Sequence, residues 1–176
     1  MKSIIIIAIF ILHQASYSQV ETKLFHKDGS VTTESCKIKG NTIKCEIESK
    51  KIQYSSTDLI AIEQYPNTEK AERYVYLKIE NSNKPKLIKE IINGKVSLYE
   101  ISKIAPPQVG GWTYIYYIKK PSWDVIKKIG TMTFKKDLVR EYFSDCPLLI
   151  EKVESNYFKG RQPSDLVNYF NENCDK

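Results

Sequence analysis

The chain reads as an α+β protein, with an antiparallel β meander or roll first, about three helices last, and two disulfides. Three observations predict this. Short runs of alternating apolar and polar residues fill the chain from Val20 to Lys119, punctuated by Asp-Gly, Gly-Asn and Asn-Gly pairs that turn hairpins. From Thr133 onward the apolar spacing changes to that of a helix. The four cysteines are an even number in a chain that opens as exported proteins do.

That opening is Met1-Lys2-Ser3, a short basic start, followed by nine apolar residues from Ile4 to Leu12. Ser16-Tyr17-Ser18 then puts small residues at the two positions that direct cleavage, so residues 1–18 read as a secretory signal peptide cut before Gln19. Nine apolar residues fall far short of the roughly 20 needed to cross a bilayer, and no later run approaches that length. No membrane span is expected after cleavage, and no cysteine lies near the cut to carry a lipid. What remains, 176 less 18 or 158 residues, suffices for a single α+β domain with its own core. The expected location is exported, periplasmic or secreted.

Residues 19–66 form the first β meander, with the rhythm of a small barrel or half-barrel. Val20–His26 and Val31–Lys39 flank an Asp28-Gly29 turn; the alternation there is imperfect, which predicts a bulge or a register that the pattern does not reveal. Gly40-Asn41 reads as a II′ turn, with glycine at the first central position. That turn sets Lys39 against Thr42, Ile38 against Ile43, Lys37 against Lys44, and Cys36 against Cys45 in a non-hydrogen-bonded pair where side chains come closest. A Cys36–Cys45 bond leaves Cys146–Cys174 as the second. A turn at Ser49-Lys50-Lys51 and the strands Ile52–Tyr54 and Leu59–Ile62 complete the meander.

Residues 72–120 form a second β series. Val75, Leu77 and Ile79 share one face of a strand. Asn93-Gly94 predicts a hairpin pairing Leu87–Ile92 with Lys95–Glu100, with Ile91 opposite Val96 and Ile88 opposite Tyr99. Pro106-Pro107 and Gly110-Gly111 break structure before a strand from Trp112 to Lys119. The helical part, 131–176, begins with Thr133 as N-cap and Leu138, Val139 and Tyr142 on one face. Asp145 caps a second helix with Pro147 in its first turn, and Pro163-Ser164-Asp165 opens a third.

The formal charge of +6, or +5 once Lys2 is removed, is almost all lysine, since Arg73, Arg140 and Arg161 are the only arginines. So few arginines argue against a nucleic-acid surface. Catalytic signals are sparse. Past the signal peptide the one histidine is His26, which with four paired cysteines provides no metal cluster, and no cofactor fingerprint or nucleophile elbow is present. Carboxylates that a paired acid/base mechanism would draw on are Glu63, Glu72, Glu90, Asp124 and Asp145, and no spacing singles out two of them. Glu90 reads as a solvent-facing strand residue paired with Lys95 or Lys89.

The aromatic strand is the leading binding candidate. Alternation places Trp112, Tyr114, Tyr116 and Ile118 on one face, with Lys119 at the end and Trp123 beyond. Such a stripe either stacks on sugar rings or anchors a protein partner, or else forms the floor beneath the helices. Tyr74 and Tyr76 would enlarge either arrangement.

The elements Lys95-Val96-Ser97-Leu98-Tyr99, Phe143-Ser144-Asp145-Cys146-Pro147-Leu148 and Tyr169-Phe170-Asn171-Glu172-Asn173-Cys174 resemble those of uncharacterised exported proteins of Bacteroidota-type bacteria. The resemblance spans residues 72–174 and implies a secreted bacterial protein, with no activity attached. The expected function is a non-catalytic binding or structural protein of the bacterial envelope, with an envelope protein or glycan as partner and no cofactor. The alternatives are a small envelope hydrolase using paired carboxylates, and a secreted inhibitor or protective protein presenting a rigid loop.

Overall fold

A computed structural model describes residues 19–108 and 110–174; the predicted signal peptide, 1–18, lies outside them. Eleven strands form one antiparallel sheet. They are β1 (Val20–His26), β2 (Val31–Lys39), β3 (Thr42–Ile47), β4 (Lys50–Tyr54), β5 (Leu59–Gln64) and β6 (Glu72–Leu77), then β7 (Lys86–Ile92), β8 (Ser97–Ile104), β9 (Trp112–Lys119), β10 (Lys127–Thr131) and β11 (Thr133–Phe134). Helices α1 (Lys136–Tyr142), α2 (Pro147–Glu154) and α3 (Pro163–Asn173) follow. The order across the sheet is β11-β10-β9-β8-β7-β6-β5-β1-β2-β3-β4, open at both ends, so the barrel rhythm of the first strands does not become a closed barrel.

The Gly40-Asn41 hairpin forms in the predicted register, and Gly40 takes the positive φ of 61° that a II′ turn places there. Cys36 and Cys45 are bonded with their Cα atoms 4.1 Å apart, and Cys146 bonds Cys174. The next turn sits one residue earlier than expected, on Glu48-Ser49, both with positive φ, so that Ile47 pairs with Lys50. The expected bulge is also displaced: β1–β2 is regular, and the slip falls between β1 and β5 at Phe25/His26.

The simple meander is corrected at β5, which pairs with β1 and not with its sequence neighbour β4. Only Ser55–Asp58 joins β4 to β5, in a turn closed by the Asp58 and Leu59 amides on the Ser55 carbonyl. In a flat sheet those two strands would stand about 19 Å apart, four spacings of ~4.8 Å. Five extended steps reach ~18 Å at most. A compact turn can make the link only because the sheet curls. Curling buries Leu24, Cys36, Ile43, Cys45, Leu59 and Ile62 on its concave side, against Tyr74, Tyr76 and Leu87 from β6 and β7.

The second half of the sheet curls the other way. Ile79, past the end of β6, bridges in parallel to Ile126, just before β10. Its core is Ile88, Tyr99, Tyr117 and Ile126, with Val75, Leu77, Ile79, Ile101 and Ile115 around them. The opposite face of β8–β10, with Leu98, Ile118 and Ile129 fully buried, carries the three helices through Phe143, Leu149, Leu166, Val167 and Phe170.

Three local expectations fail here, two because a distant partner outcompetes the local signal and one because a short strand takes the residue. Asn93-Gly94 does not make a two-residue hairpin; Ile92 pairs with Leu98 across a bulge, Glu90 with Tyr99, and Ile88 with Val75. The Asn171 amide of α3 accepts from the Val96 N–H at 2.8 Å and donates to its carbonyl at 2.9 Å, and a Cβ on Gly94 would fall 2.6 Å from Asn171 Nδ2. Thr133 is strand β11 and not a helix cap; α1 starts from Lys135 without a side-chain cap. Asp145 does not cap α2 either, whose N-cap is Cys146. Its carboxylate instead accepts two hydrogen bonds from Lys120 Nζ, at 2.8 and 2.6 Å.

Candidate functional site

Strand registers place Tyr74, Lys89, Glu100 and Tyr116 side by side across β6, β7, β8 and β9, on the face shared by the N-terminal curl and the helices. Between those two covered ends the face stays open as a groove of about 860 Å³. Its floor is Glu72, Tyr74, Lys89 and Glu100; Trp112 and Tyr114 wall one side, and Ile38, Gly40 and Asn41 of the β2–β3 tip wall the other. Lys84, Lys86 and Lys103 stand at the rim.

The tip is clasped in place. Asn41 Nδ2 donates to the Pro85 carbonyl at 3.0 Å, its Oδ1 accepts from the Leu87 N–H, and its own carbonyl accepts from the Tyr76 hydroxyl at 3.0 Å. On the floor, Glu72 accepts from Lys89 Nζ at 2.6 Å and from the Tyr74 hydroxyl at 2.7 Å. Burial pushes the Glu72 carboxyl up, but these two hydrogen bonds and the Lys89 charge outweigh it and hold the group below its ordinary value. Burial first, and then Glu72, drives the Tyr74 phenol well above the usual tyrosine range. Burial, aided by the Asp58 charge, pushes Tyr76 up to about 12. Burial likewise raises Tyr116, with Glu100 as its hydrogen-bonded neighbour.

The aromatic strand divides along its length. Trp112 is 57% exposed and Tyr114 half-buried, both in the groove. Tyr116 packs on the helical core and Ile118 is fully buried in it. Lys119 lies at the far end of β9, opposite Ser97. Trp123 is off the sheet, edge-to-face on Tyr142 with ring centroids 5.5 Å apart and Lys127 Nζ 5.0 Å from its ring. The groove therefore gathers Trp112 and Tyr114 and leaves out Tyr116, Lys119 and Trp123. Tyr74 joins it from β6, which β7 and β8 separate from β9.

The candidate carboxylates are dispersed. Glu90 does not pair with Lys95 or Lys89: it faces the opposite side of the sheet, 3.2 Å from Arg73, with its side chain only 11% exposed. Burial raises its pKa against the opposing Arg73 charge and a Tyr99 hydrogen bond. Glu63 stands opposite Arg73 on β5–β6, Asp124 is exposed in a loop, and Asp145 holds Lys120. The two carboxylates that do share the groove are Glu72 and Glu100, and Glu100 escaped the sequence reading, as did Lys89. Alternation groups Glu72 with Tyr74 and Tyr76 on β6, and Glu100 with Ser102 on β8, but only the β7–β8 register brings Glu100 and Lys89 together. His26 shares a hydrogen bond with Thr32 at 3.0 Å and sits edge-to-face on Tyr54. Among the described residues, no three His, Cys, Asp or Glu side chains gather as metal ligands, and no helix is long and apolar enough to cross a membrane.

Compared with protein-family models, with curated proteins and with solved structures, the chain matches none.

Proposed function

We propose that this is a non-catalytic binding protein of the bacterial envelope, exported through its first 18 residues, that takes an envelope glycan chain into the β2–β9 groove. The observation that carries this reading is the exposed Trp112 indole at the wall of an 860 Å³ groove, with Tyr114 beside it and Tyr74 on the floor. Flat aromatic faces stack on sugar rings, and tryptophan concentrates binding energy at such surfaces. Lysine ammonium groups and glutamate carboxylates at the floor and rim supply donors and acceptors for hydroxyls. The two disulfides accord with an oxidising, exported compartment.

The groove's chemistry favours binding over hydrolysis. A glycosidase-type mechanism needs one carboxyl kept protonated near neutral pH. Glu72 is held down by Lys89 and Tyr74, while the carboxyl that burial raises, Glu90, faces the other side of the sheet.

A second reading rests on a separate observation. Ile104 is 80% exposed and pairs with Trp112 at the base of the 105–111 loop, an apolar hairpin end suited to blocking a protein partner. The two readings separate on an array of immobilised envelope glycans. Trp112→Ala is expected to weaken glycan capture at least tenfold and Ile104→Ser to leave it unchanged. Capture lost only with Ile104→Ser, or by neither variant, overturns the glycan reading.

A further inference from the structure

The outer face of the β2–β3–β4 ribbon carries charges that its own fold leaves unanswered. Lys37 and Lys44 face each other directly across β2 and β3, with Lys39 two residues along β2 on the same face. Like charges set directly opposite destabilise a ladder. Gln53 and Lys51 continue that face onto β4, opposite Lys44 and Glu46. A concavity of about 330 Å³ opens here, lined by Lys37, Lys39, Lys44, Lys51, Gln19 and Gln53 together with Cys45 and Ile52. No carboxylate lines it. Glu46, opposite Lys51 on the same face, accepts from Gln19 Nε2 at 3.4 Å. Among the described residues none of the four lysines makes an ion pair.

Directly beside the repelling Lys37–Lys44 pair stands the Cys36–Cys45 bond. A covalent link there keeps the ribbon in register despite the repulsion, so four ammonium groups stay assembled around one depression. Four ammonium groups with no carboxylate among the lining side chains, beside the neutral carboxamides of Gln19 and Gln53, make a site for a compact anion of high charge. Lysine recognises phosphate as a point charge, without the planar fork of arginine, which fits an arginine-poor chain.

We propose that this concavity binds a phosphate-type anion carrying two or more charges, at a site distinct from the groove. The soluble probe is inorganic pyrophosphate; vesicles containing phosphatidate, whose phosphomonoester headgroup ionises twice, present the same chemistry on a lipid. At low salt, pyrophosphate is expected to shift the backbone amide resonances of Lys37, Lys44 and Gln53 saturably, and Lys44→Gln to weaken that binding at least tenfold. Lys37→Gln, which also removes the repulsion, should weaken it similarly while leaving the fold intact or firmer. Cosedimentation with vesicles that is lost in the Lys44→Gln protein would assign the site to a headgroup, and pyrophosphate binding without cosedimentation would assign it to a soluble phosphate compound; either result supports the proposal. Absence of saturable shifts at millimolar pyrophosphate, or binding that Lys44→Gln and Lys37→Gln leave unchanged, overturns it. Trp112→Ala should not alter this binding, so its failure and that of the groove reading are separable.

Discussion

The two halves of the sheet are built on different principles. In the β1–β5 curl the chain is told where to turn by residues at the turn itself: Gly40-Asn41 sets the register of β2 and β3, and a disulfide closing a span of nine residues pins it. In the β7–β8 region the turn signal is overruled by a helix laid down 75 residues later, and the disulfide there closes a span of 28. Local instruction makes the first half easy to specify, whereas the second depends on its tertiary partners.

The largest expected losses are those of the disulfides. The loop-closure relation assigns about 3.6 kcal/mol to the Cys146–Cys174 bond and about 2.6 kcal/mol to Cys36–Cys45, from their spans of 28 and 9 residues. Paired Cys→Ala replacements, compared by urea unfolding, should show the C-terminal bond costing about 1 kcal/mol more. Equal losses would mean that the unfolded chain is not what separates the two regions.

Next in size is the Asn171 clamp. Asn171→Ala leaves the Val96 N–H and carbonyl without their partner, and a cost of about 2 kcal/mol is expected for two such groups in a partly buried site. Asn41→Ala, at the corresponding clasp of the first hairpin, should cost less, since the partners there are exposed to water. A reversed order in thermal unfolding would break the comparison.

The smallest effect lies between the regions, where Tyr76 reaches from β6 to the Asn41 carbonyl. Its folded pKa, pushed from 10.0 up to about 12, lies above that of the unfolded chain. The folded state therefore holds the proton more tightly, and the contribution is full below pH 10 and lost as pH rises toward 12. Ultraviolet titration should show a tyrosine fraction ionising late in that window, and Tyr76→Phe should remove part of it.

This contrast also explains what the sequence could reveal. The cysteine hairpin was legible to the last residue pair because its determinants are adjacent. The return of β5 to β1 was not, because pairing order in a curled sheet is decided by closure of the whole and not by any one turn. Thr133 and Asp145 looked like helix caps, and each is committed elsewhere, to a strand and to Lys120. At the groove, Trp112 and Tyr114 could be read from alternation alone. Glu100 and Lys89 could not, because only the β7–β8 register brings them together, and that register depends on Asn171.

That dependence gives the fold an order in time. A chain made from its N-terminus completes β7 and β8 well before Asn171 exists. Until α3 arrives, the amide and carbonyl of Val96 have only water to bond, and a tighter hairpin over Asn93-Gly94 competes for the same strands. Closing a contact across 75 residues also carries the entropy of a long loop. The first hairpin can zip and oxidise early, whereas the register that assembles the groove floor belongs to the last stage of folding.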